Sequence, residues 1–168
     1  MSEPRIEAVA LSDLDELLAI EEASFPEPWS AELLRGELEM RQTRRYTKAV
    51  VDDRIVGYLG LMYVDDEVHV NTIATLPDAQ GHGVATRLLL DGIAASIERG
   101  GVHLTLEVAA SNDRAQALYR RFGLAPVGVR RRYYSNGENA LVMWARDLDA
   151  ASEVARRSSI ADSLGSSE

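Results

Sequence analysis

The segment running from Val68 to Glu98 constrains this chain more than any other part of it. Val68 to Leu76 is rich in β-branched residues and reads as a strand. Pro77 ends that strand. After a loop from Asp78 to Gly83, a helix carries Val84, Leu88, Ile93 and Ile97 near a 3.6-residue period until Gly100-Gly101 stops it. The turn Gln80-Gly81-His82-Gly83-Val84-Ala85 therefore places successive main-chain N–H groups at the positive end of a helix dipole, which is an anion site. Gly81 and Gly83 remove Cβ where main chain would have to approach a ligand closely, and Ala85 keeps the first helical turn small. A diphosphate fits such a turn. A tight connection with glycines at a helix start is the plain alternative. The turn lacks the Lys-Ser/Thr ending of a P-loop and the three glycines of a Rossmann fingerprint, which argues against nucleotide hydrolysis and dinucleotide binding.

The rest of the chain places this unit inside a larger mixed α/β order. Arg5 to Ala10 reads as a strand. A helix follows through Leu14, Leu17, Leu18 and Ile20, with Ser12 as its expected cap. Phe25-Pro26-Glu27-Pro28-Trp29 must break that helix, and Ser30 can cap a second one from Ala31 toward Met40. Tyr46 to Val51, Ile55 to Val64 and Val68 to Leu76 then form three consecutive antiparallel strands around the turns Asp52-Asp53 and Asp65-Asp66. Val102 to Val108 has the apolar character of a strand buried on both faces, and Asn112 starts a helix ending at Gly123. Two last strands, Leu124 to Tyr133 and Ala140 to Arg146, flank the turn Ser135-Asn136-Gly137. Residues 1–148 make one domain, and 149–168, rich in Ser, Ala and charge, read as a mobile extension with no fold of its own.

Bulk properties exclude several classes. A chain of 168 residues accommodates one globular domain. No apolar stretch is long enough to span a membrane, and the N-terminus has no basic region followed by an apolar core, so the expected location is the cytoplasm. The absence of cysteine removes disulfides, a thiolate nucleophile and cysteine-based zinc sites. His69, His82 and His103 are scattered without metal-ligand spacing, so no metal is expected. A net charge of −9 argues against nucleic acid and suits a basic partner, although acidity also serves solubility alone.

Gln80-x-x-Gly83-x-Ala85 resembles the Q/R-x-x-G-x-G/A loop by which the GNAT N-acetyltransferases hold the pyrophosphate of acetyl-coenzyme A. Leu106-Glu107-Val108-x-x-Ser111-Asn112 and Ala117-Leu118-Tyr119-x-x-Phe122-Gly123 are similar to that family's next two blocks, in the same order and on the expected strand and helix. Phe25-Pro26-Glu27-Pro28-Trp29-Ser30 and Arg130-Arg131-Arg132-Tyr133-Tyr134 narrow the similarity to the bacterial ribosomal-protein alanine N-acetyltransferases of the RimI type. The resemblance covers roughly Arg5 to Asp147. Three departures stand out: Gly81-His82 occupies positions where the family often has a basic residue, the two prolines before Trp29 make that loop longer than in some relatives, and the C-terminal extension has no counterpart.

The resemblance implies a single-domain GNAT fold, with a mixed, mostly antiparallel sheet of about seven strands, a cofactor cleft where two central strands part, and helices on both faces. It implies acetyl-coenzyme A as cosubstrate, held by the main chain of Ile73, Ala74 and Thr75 and by Gln80, Gly81, His82, Gly83, Val84, Ala85 and Thr86. Asn112 resembles a cofactor-binding asparagine, but a helix N-cap explains it equally well. Trp29, Tyr133 and Tyr134 are the candidate acceptor-side residues. Acetyl transfer to an amine needs a neutral nucleophile and a proton for the leaving thiolate. Glu107 is a carboxylate in the apolar strand Leu104-Thr105-Leu106-Glu107-Val108, where partial desolvation makes a better base. Tyr119, twelve residues on, has a phenol that can protonate the departing sulfur. The family uses residues of these types in these roles. The expected reaction is direct attack without an acyl-enzyme on a protein α-amine, best guessed as the N-terminal alanine of a basic ribosomal protein. A GNAT enzyme for small amines or antibiotics, and a non-catalytic coenzyme A sensor, are the alternatives.

Overall fold

The computed structural model describes residues 1–165 of the chain. Seven strands form one sheet in the order β1-β2-β3-β4-β5-β7-β6. Their ranges are β1 Arg5–Ala8, β2 Arg44–Val51, β3 Arg54–Val64, β4 Glu67–Thr75, β5 His103–Ala109, β6 Ala125–Arg130 and β7 Ala140–Ala145. The sheet is mixed, as expected: β4 and β5 pair in parallel, whereas β1–β2, β2–β3, β5–β7 and β6–β7 are antiparallel. The helices among the described residues are α1 Leu14–Ser24, α2 Ala31–Glu39, α3 Val84–Glu98, α4 Asp113–Arg121 and α5 Ala151–Gly165.

Packing divides the chain into two compact units, one of residues 1–62 with 71–94, the other of 63–70 with 95 onward. In the first unit, Leu14, Leu17 and Ile20 of α1 and Leu34 and Leu38 of α2 join Tyr46, Val50, Ile55, Tyr58 and Ala74 in one buried cluster. Each such side chain removed from water stabilises the fold by about 1.5–3 kcal/mol. Asp52 and Asp53 both take positive φ, 50° and 63°, so β2 and β3 are joined by a two-residue turn whose twist matches the strands. Gly57 in β3 is required by crowding: a Cβ there would lie 2.9 Å from the Ala74 carbonyl oxygen and 2.9 Å from Val84 Cγ1 at the start of α3. In the second unit, β5 is paired on both sides, by three residue pairs with β4 and six with β7, and contributes buried Leu104, Leu106 and Val108.

Several boundaries differ from the sequence reading. Ser12 caps nothing. It lies inside a 3₁₀ turn, Leu11–Asp13, and the neighbouring Asp13 carboxylate instead accepts the Ala10 N–H at 2.8 Å and the Lys48 ammonium at 2.7 Å. The strand expected to reach Tyr133 stops at Arg130, because Arg132 takes φ 51°, outside the extended region. The expectation that 149–168 has no fold of its own is corrected over most of its length. Residues Ala151–Gly165 form α5, with Ile160 buried, Arg157 Nη2 donating to the Leu148 carbonyl at 2.6 Å, and Arg121 Nη2 donating to Ser163 Oγ at 2.6 Å. Residues 166–168 of that expected extension lie outside the described residues.

Because a backbone oxygen cannot yield as a flexible side chain can, Gly57→Ala should destabilise the protein by roughly 1–3 kcal/mol. Equilibrium urea denaturation measures it. Unchanged stability would show that β3 and α3 tolerate a wider separation.

Candidate active site

In the first unit the glycine turn has the conformation its residues suggest. A 3₁₀ turn over Pro77–Ala79 follows β4, and Gln80 Nε2 reaches back to the Thr75 carbonyl at 3.4 Å. Gly81 and Gly83 have φ of 83° and 77°, a region that costs other residues steric strain. A Cβ on Gly81 would meet nothing within 4 Å, so within the chain glycine is demanded there by backbone conformation and not by crowding. The Arg87 N–H donates to the Gly83 carbonyl at 3.0 Å, so α3 begins at this turn and its first amides, at Val84, Ala85 and Thr86, have no intrahelical acceptor. Gln80, Gly81 and His82 are exposed, Gly83 and Ala85 are half-buried, and Val84 and Thr86 are buried. This open turn of free donors fits a diphosphate. At the end of β4, Ile73 and Thr75 are half-buried around buried Ala74.

The α1–α2 loop belongs to the same unit. Ser30 caps α2, its Oγ accepting the Leu33 N–H at 3.1 Å, as read from the sequence. Phe25 and Trp29 pack against the buried cluster, while Pro26, Glu27 and Pro28 are exposed. Trp29 is also held by its main chain, its N–H donating to Glu21 Oε2 at 3.2 Å.

The second unit brings together Glu107, Tyr119 and Tyr134. Glu107 sits on β5 opposite Val142, with its side chain 24% exposed and Arg130 Nη2 3.5 Å from its Oε1. The Arg130 guanidinium lies 5.6 Å from the centre of the Tyr133 ring, and that ring meets Tyr134 edge-on with centroids 5.1 Å apart. Burial pushes the Tyr134 phenol up to about 12, with further contributions from Tyr133, Glu107 and Glu138. Tyr119, on α4, is almost wholly buried; burial raises its phenol far above the ordinary tyrosine value, and Tyr134 adds to the shift. Tyr119 therefore keeps its proton at neutral pH. Asn112 is exposed, and its Oδ1 accepts the Ala115 N–H at 3.1 Å, which is the N-cap geometry.

Sequence reasoning missed the clamp that holds this arrangement. The Ser111 N–H donates to Glu138 Oε1 at 2.8 Å, the Ala110 N–H to the Asn139 carbonyl at 3.0 Å, and the Arg132 N–H to Asn139 Oδ1 at 3.0 Å. The first two bonds tie the loop carrying Tyr133 and Tyr134 to the turn that starts α4, and the third closes that loop on itself. Hydrogen bonds from Ser111 hold the Glu138 carboxyl below the usual range. The available signal was an acidic residue just beyond the Ser135-Asn136-Gly137 turn. His103 Nδ1 accepts the Asp147 N–H at 3.2 Å and His69 Nε2 lies 3.2 Å from Glu67 Oε2. Among the described residues no group of three or more His, Cys, Asp or Glu is placed to hold a metal ion.

With this geometry in hand, comparison with known proteins places the chain. The Acetyltransferase (GNAT) family model matches residues 14–124, and the chain belongs to that family. It is an acetyl-coenzyme A-dependent N-acetyltransferase by that membership. It is 35% identical over 144 residues to the ribosomal protein bS18-alanine N-acetyltransferase of Salmonella typhimurium, covering 82% of this chain and 94% of the relative. It is 38% identical over 122 residues to the N-alpha-acetyltransferase RimI of Mycobacterium tuberculosis, covering 70% and 75%. The crystal structure of the ribosomal-protein-S18-alanine N-acetyltransferase from Escherichia coli superposes with a TM-score of 0.79 at 28% identity, covering 86% of this chain and 94% of that one.

The raised Tyr119 phenol has a consequence for stability. The unfolded chain ionises this group near pH 10 and the folded chain only well above it, so the stabilisation is complete below about pH 10 and is lost as pH rises further. Melting temperatures measured from about pH 8 to pH 11 should fall more steeply for wild type than for Tyr119→Phe. Parallel curves would mean that Tyr119 is not held neutral by burial.

Proposed function

We propose that this chain transfers the acetyl group of acetyl-coenzyme A to the free α-amine of a protein N-terminus, with a ribosomal protein beginning with alanine as the acceptor. The observation that carries the reading is the Glu107 carboxylate. It is half-buried on β5 and already takes a cation, Arg130, at 3.5 Å. An acceptor ammonium brings the same charge to the same oxygen. The Salmonella and Escherichia coli relatives are named for acetylating the alanine of a ribosomal protein, which supports the choice of acceptor. The net charge of −9 suits a basic protein partner of the cytoplasm.

In this reading the free amides at Gly81 to Thr86, with Gln80 and His82, hold the diphosphate, and the main chain of Ile73, Ala74 and Thr75 pairs with the pantetheine arm. Asn112 contributes at the start of α4 while capping it. Tyr133 and Tyr134 are acceptor-side residues of the unit that carries Glu107, and Trp29 is the acceptor-side residue of the other. Glu107 removes a proton from the acceptor ammonium, directly or through a water, which leaves a neutral amine to attack the thioester carbonyl. Tyr119 holds its proton at neutral pH and delivers it to the departing sulfur. With no cysteine in the chain, the transfer proceeds by direct attack. The catalytic domain spans residues 1–148, and α5 is an addition to it.

An α-amine suits this machinery, because its reference pKa of about 7.7–8.0 leaves far more neutral nucleophile at neutral pH than the 10.4 or so of lysine. Glu107→Gln keeps shape but cannot take the proton. Turnover of an Ala-starting peptide should therefore fall by roughly 10²–10⁴ near neutral pH, with acetyl-coenzyme A affinity little changed. Near-normal turnover, under conditions where chemistry limits the rate, would show that another group accepts the proton.

A further inference from the structure

Glu21 lies in the apolar stripe of α1 with Leu14, Leu17 and Ile20, and its residue exposure is 1%. A carboxylate so placed is costly unless its oxygens are supplied with donors. The other buried carboxylates of this unit are paired with cations: Asp13 with Lys48 at 2.7 Å, and Glu37 of α2 with Arg44 Nε at 2.9 Å, together with the Tyr46 hydroxyl at 2.7 Å and Asn71 Nδ2 at 2.9 Å. Glu21 instead takes neutral donors and divides them between its two oxygens. Oε1 accepts the Tyr58 hydroxyl of β3 and the Thr72 hydroxyl of β4, the latter at 2.9 Å. Oε2 accepts the main-chain N–H of Trp29 at 3.2 Å. One oxygen is thus fixed to the sheet and the other holds the α1–α2 loop.

Two positions of that loop offer no backbone donor. Pro26 and Pro28 have no N–H to donate, and the exposed stretch Pro26-Glu27-Pro28 lies between the two packed aromatics Phe25 and Trp29. Without its bond to Glu21, the buried-side N–H of Trp29 would have to find another acceptor or draw the loop outward to water.

We infer that Glu21 is a positioning residue for acceptor binding, which anchors the Trp29 main chain to β3 and β4 and so holds the 25–30 loop in the shape that receives the acceptor's first residue. This rests on the acceptor-side reading of Trp29 given above. Glu21→Met keeps the length of the side chain, removes the buried charge and leaves the Trp29 N–H without its acceptor. The KM for an Ala-starting peptide should rise roughly tenfold, the loss of a hydrogen bond to a charged group. The kcat and the KM for acetyl-coenzyme A should stay close to wild type, while the melting temperature falls because the buried Tyr58 and Thr72 hydroxyls lose their acceptor. Tyr58→Phe removes a donor from Oε1 but leaves the Trp29 bond, so it should lower the melting temperature without moving the peptide KM. A merely structural Glu21 would lower the melting temperature with the peptide KM unmoved, and that result overturns the inference. Should Glu21→Met fail to fold, hydrogen exchange of the wild-type Trp29 amide decides: slow exchange, comparable with the strand amides, is expected, and exchange as fast as in a free peptide overturns the anchoring. Failure of the acceptor reading would be seen separately, in a wild-type enzyme that turns over no free peptide N-terminus.

Discussion

Six residue pairs between β5 and β7, from Leu104–Ala145 to Ala109–Ala140, hold the candidate active-site residues of the second unit in place. The ladder sets Glu107 opposite Val142 and is reinforced by Thr105, whose buried hydroxyl donates to the Met143 carbonyl at 3.0 Å. Just beyond it the chain turns into α4, and Gln116 reaches back from that helix to donate to the carbonyls of Ala109 and Ala110 at 3.1 and 3.0 Å. Tyr119 lies one turn further along. At this same end of the ladder, where Ala109 pairs with Ala140, the loop before β7 closes through Glu138 and Asn139 on Ser111 and Ala110. Glu107, Tyr119 and Tyr134 thus take their positions from a single strand pairing and the polar contacts at its end. A one-residue slip of β7 would turn the side chains of that strand to the wrong face and carry the clamp with it.

The two units solve the problem of buried polarity differently. In the first, Glu21 and Glu37 sit among apolar side chains, and burial together with these carboxylates pushes the phenols of Tyr58 and Tyr46 well above the ordinary value. Those hydroxyls remain donors throughout the physiological range, so both carboxylates stay satisfied. In the second unit the carboxylate on β5 is only half-buried, has an exposed arginine for company and is not saturated by neutral donors. A carboxylate surrounded by fixed donors anchors structure, whereas one with an exchangeable cation beside it can trade that cation for a substrate. The contrast supports Glu107, and neither Glu21 nor Glu37, as the group that moves a proton.

Much of this organisation was legible because it is local. The glycine turn, the caps at Ser30 and Asn112, and the hairpin turn at Asp52-Asp53 each depend on residues within a few positions of one another, and each is found where the sequence places it. Ser12 misled because a hydroxyl and a carboxylate stood side by side, and the carboxylate, able to take both the Ala10 N–H and the Lys48 ammonium, is the stronger acceptor. Helix α5 was illegible for another reason. Its Ser- and Ala-rich sequence has only a weak apolar stripe, and its place depends on Leu148, Arg121 and buried Ile160, contacts that no pattern within 149–168 announces. The Glu138 clamp spans 27 residues between donor and acceptor, beyond the reach of any local signal. Glu21 did leave a trace, as a charged residue in the apolar stripe of α1, but only the structure shows what it holds.

Choice of acceptor is the centre of this account, and a competition read by mass spectrometry tests it most directly. Ala-starting peptides with a basic residue soon after, the same peptides with blocked N-termini and free lysines, and a panel of small amines would be offered together with acetyl-coenzyme A. The account predicts that the free N-terminal alanine is acetylated with the highest kcat/KM. A higher kcat/KM for lysine side chains or small amines than for any free peptide N-terminus would contradict it and leave only the membership of the GNAT family standing.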